Sequence, residues 1–95
     1  MQELVASMMM AMELRGFAKS TQKTYVAHLR RFEQYCGISP VAAGYDEVRA
    51  FLHDAIQVRK LSSAYVNSAY GALKFYYQSV LYREWNMLHP RAFAP

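Results

Sequence analysis

Tyr25, Leu29, Phe32 and Cys36 stand at i, i+4, i+7 and i+11 in the stretch KSTQKTYVAHLRRFEQYC. That spacing brings all four to one side of a helix with 3.6 residues per turn. A strand, whose side chains alternate with period two, would split them between its faces. The helical period recurs in Val48, Phe51, Leu52 and Ala55, and again in Val66, Ala69, Tyr70, Leu73, Tyr77 and Val80. No segment alternates with period two over a useful length, so the expected architecture is all-α, a four-helix bundle. Ninety-five residues supply one domain with a single modest core. With 54% hydrophobic and 19% charged residues and only four Gly and three Pro, the chain reads as globular and mostly helical.

The first helix is expected from about Gln2 to Arg15, closed by Gly16, and the second from Ser20 or Thr21 to Gly37. Asp46 and Glu47 suit the positive N-terminus of a third helix that ends near Arg59 and Lys60. The fourth and longest begins at Ser62 or Ser63 and runs to about Trp85. In the first helix Leu4, Val5, Met8, Met9, Met10, Ala11, Met12 and Leu14 cover nearly the whole circumference, so it needs cover on more than one side. Either flexible Met fills an ordinary core there, or one face packs on the bundle and another meets a neighbouring protein. The tail NMLHPRAFAP has no periodicity and two prolines. It divides the chain into a helical domain, residues 1–86, and a linker, residues 87–95.

Lys and Arg outnumber Asp and Glu by 11 to 7, for a net charge of +4, which favours a polyanionic partner. A lone Cys36 excludes an internal disulfide and points to a reducing compartment. The opening MQELVASMMMAM carries Glu3 where a signal peptide has its basic region, and its apolar run breaks at Glu13. A soluble, cytoplasmic protein with no membrane partner is expected.

The second helix opens with more polar side chains than a cap requires. Ser20 or Thr21 could serve as an N-cap, worth about 1 kcal/mol. Capping leaves Lys19, Lys23 and Thr24 unexplained, and these surround the same turn without joining the apolar stripe. The free N–H groups of a first turn, backed by the helix dipole, attract anions, and lysines and hydroxyls add donors. RKLSSAYVNSAYGALK repeats the arrangement, with Arg59 and Lys60 before Ser62 and Ser63, then Asn67, Ser68 and Lys74. Asn67, Gly71, Lys74 and Gln78 fall within about 60° on a helical wheel, and Lys23, Ala27, Arg30 and Gln34 form a similar strip. Two such helices suit a grip on a duplex, with adjacent tips meeting phosphates and polar strips facing a groove. The competing reading is a helical protein-interaction module that uses Met- and Tyr-rich surfaces.

Taken together, LRGFAKSTQKTYVAHLRRFEQYC, YDEVRAFLHDA and KLSSAYVNSAYGALKFYYQSVLYREW resemble the N-terminal, SAM-like core-binding domain of the tyrosine recombinases, the phage integrase family. The resemblance spans roughly residues 10 to 86 and rests on the order of its parts. These are Ser20-Thr21 followed by Tyr25, then Leu29 and Phe32, Val48 with Phe51 and Leu52, Leu61-Ser62, and Asn67, Ala72, Leu73, Phe75 and Tyr76. It implies a clamp on one face of double-stranded DNA, a recombination site, with the second and fourth helices approaching the duplex. By matching position, Ser20, Thr21, Thr24 and His28 would contact DNA from the second helix, and Ser62, Ser63, Asn67 and Lys74 from the fourth. Lys19, Lys23 and Lys60 join them by charge and placement, and Tyr65 by its position near the start of the fourth helix. The resemblance also implies contacts with other protomers on DNA, here through the first helix.

In that family the strand-cleaving tyrosine and its assisting residues belong to a C-terminal catalytic domain, toward which the linker would lead. Tyr25, Tyr70 and Tyr77 sit on apolar stripes and read as packing residues. His28, His53 and His89 with Cys36 show no metal-ligand spacing, and each histidine reads as exposed or half-buried. Asp46, Glu47 and Asp54 lie on one helix whose start needs acids, and no glycine-rich phosphate loop is present. The expectation is a chain that binds without catalysing, with no metal, cofactor or small-molecule substrate.

Overall fold

The computed structural model describes residues 2–85, with side chains from Leu4 onward. Helices α1 (Gln2–Leu14), α2 (Lys19–Cys36), α3 (Tyr45–Gln57) and α4 (Ser63–Phe75) are followed by one π-helical turn, Tyr76–Val80. Among the described residues there is no strand. The all-α, four-helix architecture expected from the apolar periods is therefore present.

The core forms where the stripes converge. Leu29 and Phe32 of α2, Val48 and Leu52 of α3, Val66 and Leu73 of α4, and Met8 and Met12 of α1 are all buried in one cluster. Burying a side chain of this size from water contributes roughly 1.5–3 kcal/mol, so this cluster is the main force that holds the helices together. Only one side of α1 is covered: Met10 is 65% and Leu14 81% exposed. Met therefore fills the core on one face and lies exposed on the other.

Helix starts differ from the sequence reading at one end of the bundle. Helix α2 begins at Lys19, with Ala18 as N-cap (φ −63°, ψ 149°) and no side-chain cap. Ser20 and Thr21 thus lie inside the first turn, and neither caps it. Gly37 ends the helix in the left-handed region at φ 71°, its N–H bonded to Glu33 O. In α3 the Glu47 carboxylate accepts from the Gly44 N–H at 2.6 Å, as an acid in the first turn should. Ser62 caps α4, accepting from the Tyr65 N–H at 3.1 Å.

The fourth helix does not continue to Trp85. After Phe75 the backbone widens into the π turn, closed by Leu81 N–H on Tyr76 O at 3.0 Å, an i to i+5 bond. Tyr76 and Tyr77, neighbours in sequence, are both buried. Tyr77 donates its hydroxyl to Pro40 O at 2.6 Å, and Arg83 donates to Ala43 O at 3.2 Å and to Val41 O. The chain after α4 thereby holds down the loop that leads into α3. Trp85 folds back onto the bundle, donating from Nε1 to the Tyr70 hydroxyl at 3.1 Å and stacking on Tyr77. The proposed linker, residues 87–95, and His89 lie outside the described residues.

Candidate nucleic-acid interface

Helices α2 and α4 pack antiparallel, as their contacts show. A Cβ on Gly71 would come within 3.2 Å of the Tyr25 hydroxyl, and the Tyr25 and Phe75 rings lie 6.2 Å apart. Further along α2, His28 Nε2 meets Ser68 Oγ at 3.1 Å, and its ring meets Tyr65 edge to face at 5.0 Å. Beyond that, the Arg31 guanidinium sits 5.9 Å from the Tyr65 ring centroid. Higher numbers on α2 pair with lower numbers on α4. Gly71 leaves room for the Tyr25 hydroxyl against the α4 backbone, because a side chain there would press on the tyrosine.

This geometry corrects one expectation. The starts of α2 and α4 are not adjacent tips but stand at opposite ends of the helix pair. From Ser20 to Arg31, which lies level with Tyr65, the axial distance is roughly 16 Å at 1.5 Å per residue. Between them runs a groove of about 490 Å³ lined by Lys23, Thr24, Ala27, His28, Arg31, Ala64, Tyr65 and Ser68. A recess of about 250 Å³ adjoins it, lined by Ser20, Thr21, Thr24, Tyr25 and Ser68. Thr24 and Ser68 belong to both, so the two form one continuous face.

The fold gathers Ser20, Thr21, Lys23, Thr24, His28 and Tyr65 from the expected set onto that face. Lys19, Lys60, Ser62, Ser63 and Lys74 are exposed but line neither hollow. Asn67 is half-buried and its Oδ1 is shut off from solvent without a partner, which removes that atom from the outer surface. Thr24 donates its hydroxyl to Ser20 O at 3.0 Å, so its oxygen keeps lone pairs with which to accept. Arg31 was missed, and Ser68, noted in the polar pattern of the fourth helix, was not among the expected contacts. The wheel favoured Arg30 over its neighbour because a wheel does not reveal on which side of α2 the fourth helix packs.

His28 also departs from expectation. It is only 2% exposed, a wall of the groove and not a reaching side chain. Burial, with the nearby Arg31 guanidinium adding to it, holds its pKa below the usual 6.5, so the ring is neutral near pH 7. Its Nδ1 is buried with no partner. Lys23 and Arg31 are exposed, and no acid lines this groove. The face is therefore cationic at its rim, neutral on its floor, and supplied with hydroxyls and the rings of Tyr25 and Tyr65.

Among the described residues no group of three or more His, Cys, Asp and Glu could hold a metal, and no helix is long and apolar enough to cross a membrane. Tyr76 and Tyr77 are buried, and burial raises both hydroxyl pKa values, Tyr76 to about 12. That is the reverse of what an activated nucleophile needs.

Comparison with known proteins agrees with the sequence resemblance. The sequence pattern of the phage integrase N-terminal SAM-like domain matches residues 4–87. A protein of Sinorhizobium fredii named "Putative integrase/recombinase y4qK" is 27% identical over 74 residues, covering 78% of this chain and 24% of that protein. The chain thus spans about a quarter of the length of the curated relative it matches. No solved structure matches it. With the match running through all four helices and the π turn, the chain belongs to the phage integrase N-terminal SAM-like domain family.

Proposed function

We propose that this chain is the DNA-binding core domain of a site-specific tyrosine recombinase or integrase, acting in the cytoplasm on double-stranded DNA. The observation that carries the reading is the α2–α4 face, where Lys23, Thr24, Arg31, Tyr65 and Ser68 meet although sequence separates the two groups by more than thirty positions. Its rim offers cations to phosphates, and its hydroxyls offer both donors and acceptors. The first turn of α2 lacks a side-chain cap and an acid, leaving its N–H groups to an anion at one end of the face. The start of α4 marks the other end, roughly 16 Å away, comparable with a major groove about 12 Å wide. Each helix start would then meet backbone while the middle of the face lies over base edges. Strand cleavage belongs to a catalytic domain outside this chain, so the chain itself binds without catalysing.

Lys23 and Lys74 serve as backbone contacts in this reading. Titrations of Lys23→Ala and Lys74→Ala against duplexes of unrelated sequence should show weaker binding to all of them, with relative preferences unchanged. Undiminished affinity in both variants would remove the proposed face.

A second reading, contact between proteins, is favoured by the outer side of α1, where Met10 and Leu14 are exposed beside a core-packed Met8 and Met12. This surface would join neighbouring protomers on DNA, or, without DNA, bind a partner helix. Removing the helix would not test it, because Met8 and Met12 would leave the core. Met10→Lys with Leu14→Lys spares the core, and unchanged assembly on DNA would exclude the contact.

A further inference from the structure

Arg31 borders two hollows. Besides the α2–α4 groove, it lines a second groove of about 400 Å³ between α2 and α3, with Gln34, Tyr35, Phe51, Asp54 and Arg59. Two guanidinium groups flank this hollow and one acid answers them, leaving an excess of positive charge. Arg31, Gln34 and Arg59 are all exposed, and among the described residues none of them is held in an ion pair. The floor is made of packed rings: Phe51 is buried, the Tyr35 ring packs on it at 5.5 Å, and the Tyr35 hydroxyl reaches Ala50 O at 3.4 Å. Arg59 is fixed at its base because its N–H bonds to Asp54 O at 3.0 Å at the end of α3. Lys60 and the Ser62 cap follow directly, so this groove lies beside the end of the face marked by the start of α4.

Resting on the DNA-binding reading above, we propose that the α2–α3 groove between Arg31 and Arg59 is a second phosphate subsite. It extends the duplex footprint past the start of α4. Arg31, shared by both hollows, marks the corner at which the backbone passes from one to the other. Planar guanidinium groups on two walls suit phosphate oxygens, and the Gln34 amide adds a neutral donor. Asp54 opposes the phosphate, which gives the proposal a sign that a merely structural groove lacks.

The test is a salt titration of the full chain with a duplex of about 30 base pairs, followed by fluorescence anisotropy. Arg59→Gln should weaken binding several-fold at 100 mM salt and flatten the log–log slope by about 0.9, regardless of sequence. Asp54→Asn should strengthen binding. Arg49→Gln, on the same helix but paired with Asp46 at 2.5 Å, should leave it unchanged. If Arg59→Gln behaves like Arg49→Gln while Lys23→Ala still loses affinity, the subsite is overturned and the α2–α4 face stands. If Lys23→Ala and Lys74→Ala lose nothing either, the DNA reading and the subsite fall together. Circular dichroism on each variant confirms that the helices are intact.

Discussion

A duplex-binding face differs from an apolar docking face most sharply in its response to salt. Lys23 and Arg31 line the α2–α4 groove, Lys19, Lys60 and Lys74 are exposed outside it, and Arg59 flanks the α2–α3 groove. If about five of these cations displace condensed counterions, log affinity should fall with log salt at a slope of roughly −4.5. Between 50 and 200 mM that amounts to about a 500-fold loss. Lys23→Ala should reduce the slope to roughly −3.6 and the loss over the same range to about 150-fold. Anisotropy titrations at four or five salt concentrations, at fixed pH and temperature, measure both numbers. A wild-type slope shallower than about −2 would refute the counting of cations. So would an unaltered slope in Lys23→Ala, since the residue would then stand away from the phosphates.

The remaining predictions concern the scaffold that holds this face. Ser62→Ala removes a cap that accepts from Tyr65 N–H and should cost about 1 kcal/mol, a fall of roughly 4–8 °C in Tm. Ser20→Ala should leave Tm nearly unchanged, because Ala18, not Ser20, occupies the N-cap of α2; equal losses in the two variants would contradict that assignment. Tyr77→Phe strands the buried Pro40 carbonyl and should cost about 1–3 kcal/mol, whereas Tyr76→Phe deletes a buried hydroxyl with no partner and should be neutral or stabilising. Thermal melts of the pair showing the opposite order would sink the argument. His28 has a folded pKa depressed by burial, so the unfolded chain binds protons more readily. Its stabilising contribution is present above pH 6.5 and is lost as the pH falls through 6.5 toward the lower folded value. The drop in Tm on acidification should be smaller in His28→Gln; an identical drop would assign the effect to other groups.

Much of the fold was legible because apolar spacing encodes it locally. The stripes on α2, α3 and α4 predicted the residues that converge in the core, and Gly37 and Glu47 act at the helix ends where their chemistry places them. The end of α4 was not legible. Val80 continues the helical period that Tyr77 carries, yet the backbone opens into a π turn that turns Tyr76 and Tyr77 inward together. Tyr77 bonds to a loop 37 residues away, a contact that no local pattern announces.

For the candidate site, sequence by itself determined which two helices carry hydroxyls and cations near their starts, because those are properties of neighbours along the chain. It could not determine how the helices face each other. Only tertiary packing set α2 against α4 in opposite directions, moved the two helix starts to the ends of one face, chose Arg31 over Arg30 and put His28 in the wall. The physical reason is that a helix fixes angles and distances within itself, whereas the direction and side of its neighbour depend on close packing of side chains such as Tyr25 against Gly71, far apart in the chain.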